Sequence, residues 1–309
     1  MTATTTTTAA FASADAREID HCQLCGSSER TLKFQDGPFR LFTCRCGLVY
    51  VTPRLHGKAL LDVYGASYWK SDDPKVRGYA DYARQAALYL KTYRKRMQLV
   101  SKWLPAKGRI LDVGCAAGYF LRVAAAAGHD VHGCELSAPI AQEAIAALGP
   151  ERVHIGLLDE AVRVKGWQPA SFDLVTAWDV IEHVPEPQGL LAQMRALLKP
   201  GGRLLLETQN VASRWARLLG KAWHHYKHLE HLYHFDPRTI RTLLEGQGFR
   251  VKALGSAYAG KYVSFDFLAE RAGRLGKVAG LLAKPLALLS SCNVYVNPQD
   301  EMIVVAELA

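Results

Sequence analysis

No run of about 18 uncharged apolar residues occurs in the 309-residue chain, so no membrane-spanning helix is expected. Nor does its start carry a basic segment followed by an apolar core, which argues against a secretory leader. Acidic side chains are in short supply: 29 Asp and Glu stand against 38 Lys and Arg, a net charge of +9. That excess suits an anionic partner (a nucleotide sugar, an acidic glycan, a phospholipid surface or a nucleic acid), or simply a solvated basic surface. Disulfide logic is missing as well. Cys115, Cys134 and Cys292 are scattered, whereas Cys22, Cys25, Cys44 and Cys46 cluster. Clustered pairs favour a metal in a reducing compartment, so a cytoplasmic protein is expected.

What is present divides the chain. Residues 1–18 are rich in Thr and Ala without an apolar period and read as a disordered tail. Residues 19–56 contain His21-Cys22-Gln23-Leu24-Cys25-Gly26 and Cys44-Arg45-Cys46-Gly47, two knuckles separated by β-type residues. Together they read as a zinc ribbon, a closed tetrahedral site in which Zn2+ is structural. The second pair is spaced C-x-C rather than C-x-x-C, so His21 or His56 stands as a substitute ligand. Residues 57–108 form a connector. Tyr64, Tyr68 and Trp69 gather there, to cap a ligand pocket or to anchor the small module. A helix is expected over Tyr79–Leu104, because Tyr82, Ala86, Leu90, Tyr93, Met97 and Val100 recur at helical spacing.

Residues 109–309 alternate strand and helix, the pattern of a doubly wound α/β fold. Strands are expected at Arg109–Val113, Asp130–Glu135, Val153–Ile155, Phe172–Ala177, Arg203–Thr208, Phe249–Leu254 and Met302–Ala306. Helices are expected at Tyr119–Ala127, Ala138–Leu148 and Pro187–Leu198, and from the Asp236 cap to about Gln247. An insertion at about 260–291 carries Arg271, Arg274, Lys277 and Lys284 among leucines and alanines, which suits packing, a substrate cover or peripheral membrane contact. The first strand runs into Asp112-x-Gly114-x-Ala116-x-Gly118 and a helix, the layout of a nucleotide-type site. Glu135 closes the second strand, where such folds place an acid for ribose hydroxyls. Asp112, ahead of the first glycine, would repel a pyrophosphate. It would accept the ammonium and sulfonium of S-adenosylmethionine (SAM).

Taken jointly, LDVGCAAG, GCELS, FDLVTAWDVIEHV and LKPGGRLLLE resemble the class I SAM-dependent methyltransferases over Arg109 to about Leu254. The fold so implied is a seven-stranded Rossmann-like sheet. Within that superfamily the core is similar to the ubiquinone-biosynthesis type O-methyltransferases. The ribbon and the His231 region look more like the sugar C-methyltransferases. The resemblance implies that Asp112, Gly114, Ala116 and Gly118 line the methionine and ribose, that Glu135 holds the ribose and that Leu136 packs on the adenine. It places Asp159 near the adenine amine and the backbone around Trp178 and Asp179 at the methionine end. For the ubiquinone type it also suggests a divalent ion held by Asp179, Glu182 and His183.

The segment His224–His234 holds five of the eleven histidines and follows the fifth strand on the substrate side. Methyl transfer needs a base when the acceptor is an alcohol or a carbon beside a carbonyl. The sugar C-methyltransferase resemblance makes His231 that base, tuned by Glu230. His183, just past the fourth strand at the sheet edge where open α/β folds bind ligands, is expected as a base or an orienting group. The expected acceptor is a small molecule, a sugar nucleotide or glycan intermediate first and a quinone or lipid-like phenol second. Nucleic acid is disfavoured, because the fourth strand ends in Trp178-Asp179-Val180-Ile181 and not in an Asn/Asp-Pro-Pro-aromatic turn. A nicotinamide oxidoreductase and a non-catalytic SAM- or nucleic-acid-binding adaptor are the remaining alternatives.

Overall fold

The computed structural model describes residues 15–71, 78–79, 82–104, 106–269, 281, 285 and 292–309. At its centre is a seven-stranded sheet. In chain order the strands are β1 (Arg109–Val113), β2 (Asp130–Glu135), β3 (Val153–Ile155), β4 (Phe172–Trp178), β5 (Leu198–Gln209), β6 (Phe249–Gly255) and β7 (Glu301–Leu308). They lie side by side as β6-β7-β5-β4-β1-β2-β3. Strands β1 to β5 are parallel, and β7 enters antiparallel between β5 and β6. The strand order reverses between β1 and β4, and there the carboxyl ends of the strands part to leave a crevice.

Burial explains the strands. Ile110 and Leu111 of β1 and Leu204, Leu205 and Leu206 of β5 are buried in succession, as strands covered on both faces require. Helices Tyr119–Ala126, Ala138–Leu148, Pro187–Leu197 and Pro237–Gly246 fall where the periodicity puts them. The last begins at a capping residue: Thr239 N donates to Asp236 Oδ1 at 2.7 Å, and Ile240, Leu243 and Leu244 turn inward together. A further helix, Leu158–Lys165, was not expected. It follows a strand of three residues and buries only Leu158 and Ala161.

The N-terminal unit is tied to the α/β domain by backbone pairing. Strands Arg30–Asp36, Phe39–Cys44 and Val49–Thr52 form an antiparallel sheet whose fourth member is Tyr233–His234. Tyr233 lies opposite Tyr50, and His234 opposite Val49. Arg54, buried beneath them, donates to the carbonyls of Val51 (2.8 Å) and Leu232 (2.9 Å), with its guanidinium 4.2 Å from the Tyr233 ring centre. The ribbon expected over 19–56 therefore continues into the histidine-rich segment. Cys22, Cys44 and Tyr50 share one apolar core with Leu111 and Val175 of the central sheet.

Of the insertion, Lys261–Ser264 pairs antiparallel with Asn293–Val296. Residues 270–280, 282–284 and 286–291, where membrane contact was expected, lie outside the described residues, as does the tail over 1–14. Among the described residues, no helix is long and apolar enough to cross a membrane.

The long helix expected over Tyr79–Leu104 spans Ala86–Trp103 and delivers Arg96 to Glu207 of β5. Both are essentially fully buried, and the guanidinium lies 4.9 Å from the Trp178 ring centre. Removing one partner of such a pair leaves an uncompensated buried charge. Arg96→Ala should therefore lower unfolding stability by about 3–5 kcal/mol in urea titration, and Arg96→Leu with Glu207→Leu should recover most of it. A single variant with a wild-type midpoint would show that the pair does not hold the helix to the sheet.

Candidate active site

The loop after β1 is held open by its backbone. Gly114, Ala116 and Gly118 have φ of 73°, 47° and 70°. A Cβ on Gly114 would stand 2.6 Å from Val180 Cγ2, so a side chain there is excluded on both counts. Gly114 N and Cys115 N donate to the Cys134 carbonyl of β2 at 2.8 and 3.0 Å. Glu135 then accepts from Ala116 N (3.0 Å) and Ser137 N (2.8 Å). Burial pushes its pKa up, although these amides favour the carboxylate. Asp112 is also buried. Its carboxyl accepts from Thr176 Oγ1 at 2.6 Å, and burial raises its pKa to about 8.

The connector closes over this edge. Trp69 Nε1 donates to Ser137 Oγ at 2.7 Å, and Ser137 Oγ to the Tyr64 carbonyl at 2.6 Å. The aromatics of 57–108 thus line a pocket. The cavity has a volume of about 510 Å3, within the usual range for small-molecule sites. Asp112, Gly114, Ala116, Glu135 and Leu136 line one side, with Leu157 and Leu158 below. Tyr64, Tyr68, Trp69, Tyr79, Tyr82, Tyr89 and Tyr93 line the other, with Trp178, Asp179 and His183 between the two.

Two expected residues stand elsewhere. Gly118 is not among the lining residues; it starts the helix Tyr119–Ala126, where a Cβ would come 3.0 Å from Ala144 Cβ. Asp159 is exposed on the first turn of its helix, 3.9 Å from Arg163, and its neighbours Leu157 and Leu158 reach the cavity instead.

The structure also brings in Lys261, which sequence reasoning left inside the insertion. Its Nζ lies 3.1 Å from Asp179 Oδ2 and 2.7 Å from Glu301 Oε1. Burial alone would raise the Asp179 pKa, but Lys261 and Arg96 outweigh it and hold it below the usual carboxylate range. Only the excess of Lys and Arg in that stretch hinted at such a residue. Its acidic partners are far away in the chain.

His183 faces the cavity, with Nδ1 3.1 Å from Tyr64 Oη. Burial lowers its pKa and keeps it neutral. His231 stands behind it and does not line the cavity; the two rings meet edge to face with centres 4.8 Å apart. His231 Nδ1 donates to the His225 carbonyl at 2.7 Å, and burial together with the nearby His183 lowers its pKa to about 3. Glu230 is fully buried, 2.9 Å from Lys227 Nζ. Burial works against its charge, but Lys227 prevails and holds its pKa below the usual value.

Cys22, Cys25, Cys44 and Cys46 converge, each offering a sulfur within 4.8 Å of the others. Sγ atoms of Cys22 and Cys46 are 3.6 Å apart, and those of Cys25 and Cys44 3.5 Å. These separations are close to the ~3.8 Å edge of a tetrahedron with Zn–S bonds of about 2.3 Å. The C-x-C spacing is accommodated by Gly47 at φ 95°, and neither His21 nor His56 belongs to the cluster. A second group converges at Glu182, His183 and His231. Asp179, which the ubiquinone-type resemblance grouped with Glu182 and His183, is drawn to Lys261 instead.

A family model described as a methyltransferase domain matches residues 82–254. The chain belongs to that family. It is a member of the class I SAM-dependent methyltransferases, which sets aside the nicotinamide oxidoreductase. It is 35% identical over 145 residues to the ubiquinone biosynthesis O-methyltransferase of Xanthomonas euvesicatoria, covering 43% of this chain and 61% of that protein. The protein of the same name from Xanthomonas campestris is 35% identical over 131 residues, covering 38% of this chain and 55% of the relative. The match thus spans less than two thirds of these relatives. The fold is shared with a chain of the complex between the Haloferax volcanii Trm112 methyltransferase activator and a methyltransferase, at a TM-score of 0.50 and 14% identity over 73% of this chain and 94% of that one.

The residues present fit SAM. Glu135 retains lone pairs toward the cavity for hydroxyl groups, Leu136 and Leu158 offer apolar faces for a base, and the open turn at Gly114 leaves room beside Asp112. Glu135→Ala should weaken SAM binding by at least about tenfold in calorimetric titration, because two hydroxyl contacts lose a charged acceptor. An unchanged affinity would remove Glu135 from the cofactor site. Asp112 supplies a pH test. Its pKa is about 8 folded against 3.8 unfolded, so its contribution to stability declines as pH rises from about 4 to about 8. In SAM-free protein, Asp112→Asn should gain on wild type across that window by at least about 1 kcal/mol in urea titrations. A pH-independent difference would contradict the buried-acid assignment.

Proposed function

We propose that this methyltransferase transfers a methyl group to the phenolic oxygen of a small quinone-type or lipid-like aromatic acceptor. The observation that carries this reading is the aromatic wall facing the cofactor loop. Trp69 and Tyr79 stack there at an interplanar angle of 3°, and Tyr68 and Tyr82 meet them edge-on. Such a wall suits a flat apolar ring. The Xanthomonas relatives, named as ubiquinone biosynthesis O-methyltransferases, support the same class. The sugar or glycan acceptor expected first from the sequence has no support among the relatives and yields to the phenol.

When bound, SAM supplies the activated methyl group. His183 removes the acceptor's hydroxyl proton, since it is the neutral imidazole at the cavity surface. His231 and Glu230 act behind it: His231 packs on its ring, and Glu230 stabilises the imidazolium that forms. The base therefore moves from His231, whose low pKa makes it a poor proton acceptor, to His183. The aromatic connector over 57–108 excludes water and sets the acceptor's distance to the transferable methyl. Residues 19–56, with zinc on their four cysteines, brace the histidine segment from outside, and 109–309 form the catalytic domain.

His183→Ala should reduce kcat with catechol acceptors at least about 100-fold, read as S-adenosylhomocysteine formed, while SAM affinity stays within about twofold. Full turnover in that variant, or faster methylation of sugar nucleotides than of catechols by wild type, would overturn the reading. A second reading rests on Glu182 Oε2, which is buried with no hydrogen-bond partner. A divalent ion on Glu182, His183 and His231 would hold the acceptor oxygen as its anion. Turnover stimulated by Mg2+ or Mn2+ in wild type but not in Glu182→Gln is its signature.

A further inference from the structure

A second group of metal-type ligands lies outside the cavity. His224 and His225 open the histidine-rich segment that runs on to His231, and Asp300 immediately precedes β7. Each offers one ligand atom, and all of these lie within 4.8 Å of one another. His224 Nε2 and His225 Nε2 are each 3.7 Å from Asp300 Oδ2. That is too long for a hydrogen bond, and close to the ~3.3 Å between donors that share a tetrahedral metal with bonds of about 2.0 Å. His225 is 9% exposed, and its Nε2 has no hydrogen-bond partner. Glu301 Oε1 approaches the same nitrogen at 3.8 Å. Asp300 is 2% exposed and accepts from Trp223 Nε1 at 3.1 Å, an outer contact that fixes a ligating carboxylate.

We propose that His224, His225 and Asp300 bind a divalent transition-metal ion of the zinc type, distinct from the cysteine cluster. Two imidazoles and a carboxylate suit Zn2+ or Co2+ and not Mg2+ or Ca2+. None of the three lines the cavity, so the ion is structural. It clamps the histidine segment to the start of β7. The clamp is one contact removed from two site elements. The His225 carbonyl receives the His231 Nδ1 proton, and Glu301, next to Asp300, holds Lys261.

The test is Co2+ titration of the purified full chain, followed by visible absorption and by metal content after buffer exchange. Cobalt on the four cysteines gives intense sulfur charge-transfer bands, and cobalt on nitrogen and oxygen gives only weak d–d bands. Wild type should take up one equivalent that adds weak d–d absorption without charge transfer. Exposed His224→Ala, and Asp300→Asn, which keeps an acceptor for Trp223, should each bind that equivalent at least about tenfold more weakly, with the sulfur bands unchanged. His183→Ala should retain it. Equal uptake by wild type and both variants would overturn the assignment. Loss in His183→Ala but not in His224→Ala would place the ion at Glu182, His183 and His231 instead.

Discussion

The antiparallel pairing of Tyr233–His234 with Val49–Tyr50 is the constraint on which the acceptor side depends. Between the short helical stretch that ends at Ala222 and the strand Tyr233–His234 there is no helix or strand, yet this segment holds His231 and Glu230 behind His183. Backbone hydrogen bonds to the N-terminal sheet supply the missing order. Buried Arg54 ties the two together through the Val51 and Leu232 carbonyls. The knuckle Cys44–Cys46 directly precedes Val49, the partner of His234, so a bound metal would stiffen the strand that the histidine segment leans on. An N-terminal module that looks like an appendage by composition is, mechanically, the back wall of the site.

Charge follows a similar logic. In and behind the crevice, Asp112, Glu135, Glu182 and Glu207 are buried and Asp179 is half-buried, with Arg96 at Glu207 and Lys261 at Asp179. Arg96 neutralises Glu207, while Lys261 divides itself between Asp179 and Glu301. Burial raises the pKa of Asp112, Glu135, Glu182 and Glu207, and Asp179 alone of the five is held low, by Lys261 and Arg96. Glu182 also feels the charge of Asp179. A cationic cofactor beside Asp112 completes that balance, which is why an acid is tolerated where a pyrophosphate-binding fold could not keep one.

Much of this was legible in the chain because it is written locally. Parallel strands buried on both faces are short apolar runs, and the glycine turn after β1 and the Asp236 cap are punctuation that needs no distant partner. β5 starts earlier than its apolar run because Leu198 already pairs with Phe172 before the Pro-Gly-Gly turn disturbs the register. The helix Leu158–Lys165 escaped because it buries only two side chains. What the sequence could not show is which partners distant segments choose. Lys261 and the exchange of His231 for His183 at the cavity surface turn on contacts between residues far apart in the chain, and Asp159 faces solvent because of the unexpected helix whose first turn it occupies. The aromatic connector sat on the boundary. Its composition allowed a cap or an anchor, and the Trp69–Ser137 hydrogen bond makes it part of the cavity wall.

The position of β7 has a consequence for how the molecule comes into being. β5 and β6 never touch; each is completed only when β7 slides between them. Until that late segment emerges during synthesis, β5 presents a long apolar open edge, and Lys261 has no Glu301 to hold. A nascent chain that has made β5 but not yet β7 therefore carries an unpaired strand edge, the state most prone to pairing with a neighbour. Only docking of β7 closes that edge and, in the same step, finishes the electrostatic floor of the site. A chain arrested before that point would lack a competent catalytic centre even with its SAM loop fully formed.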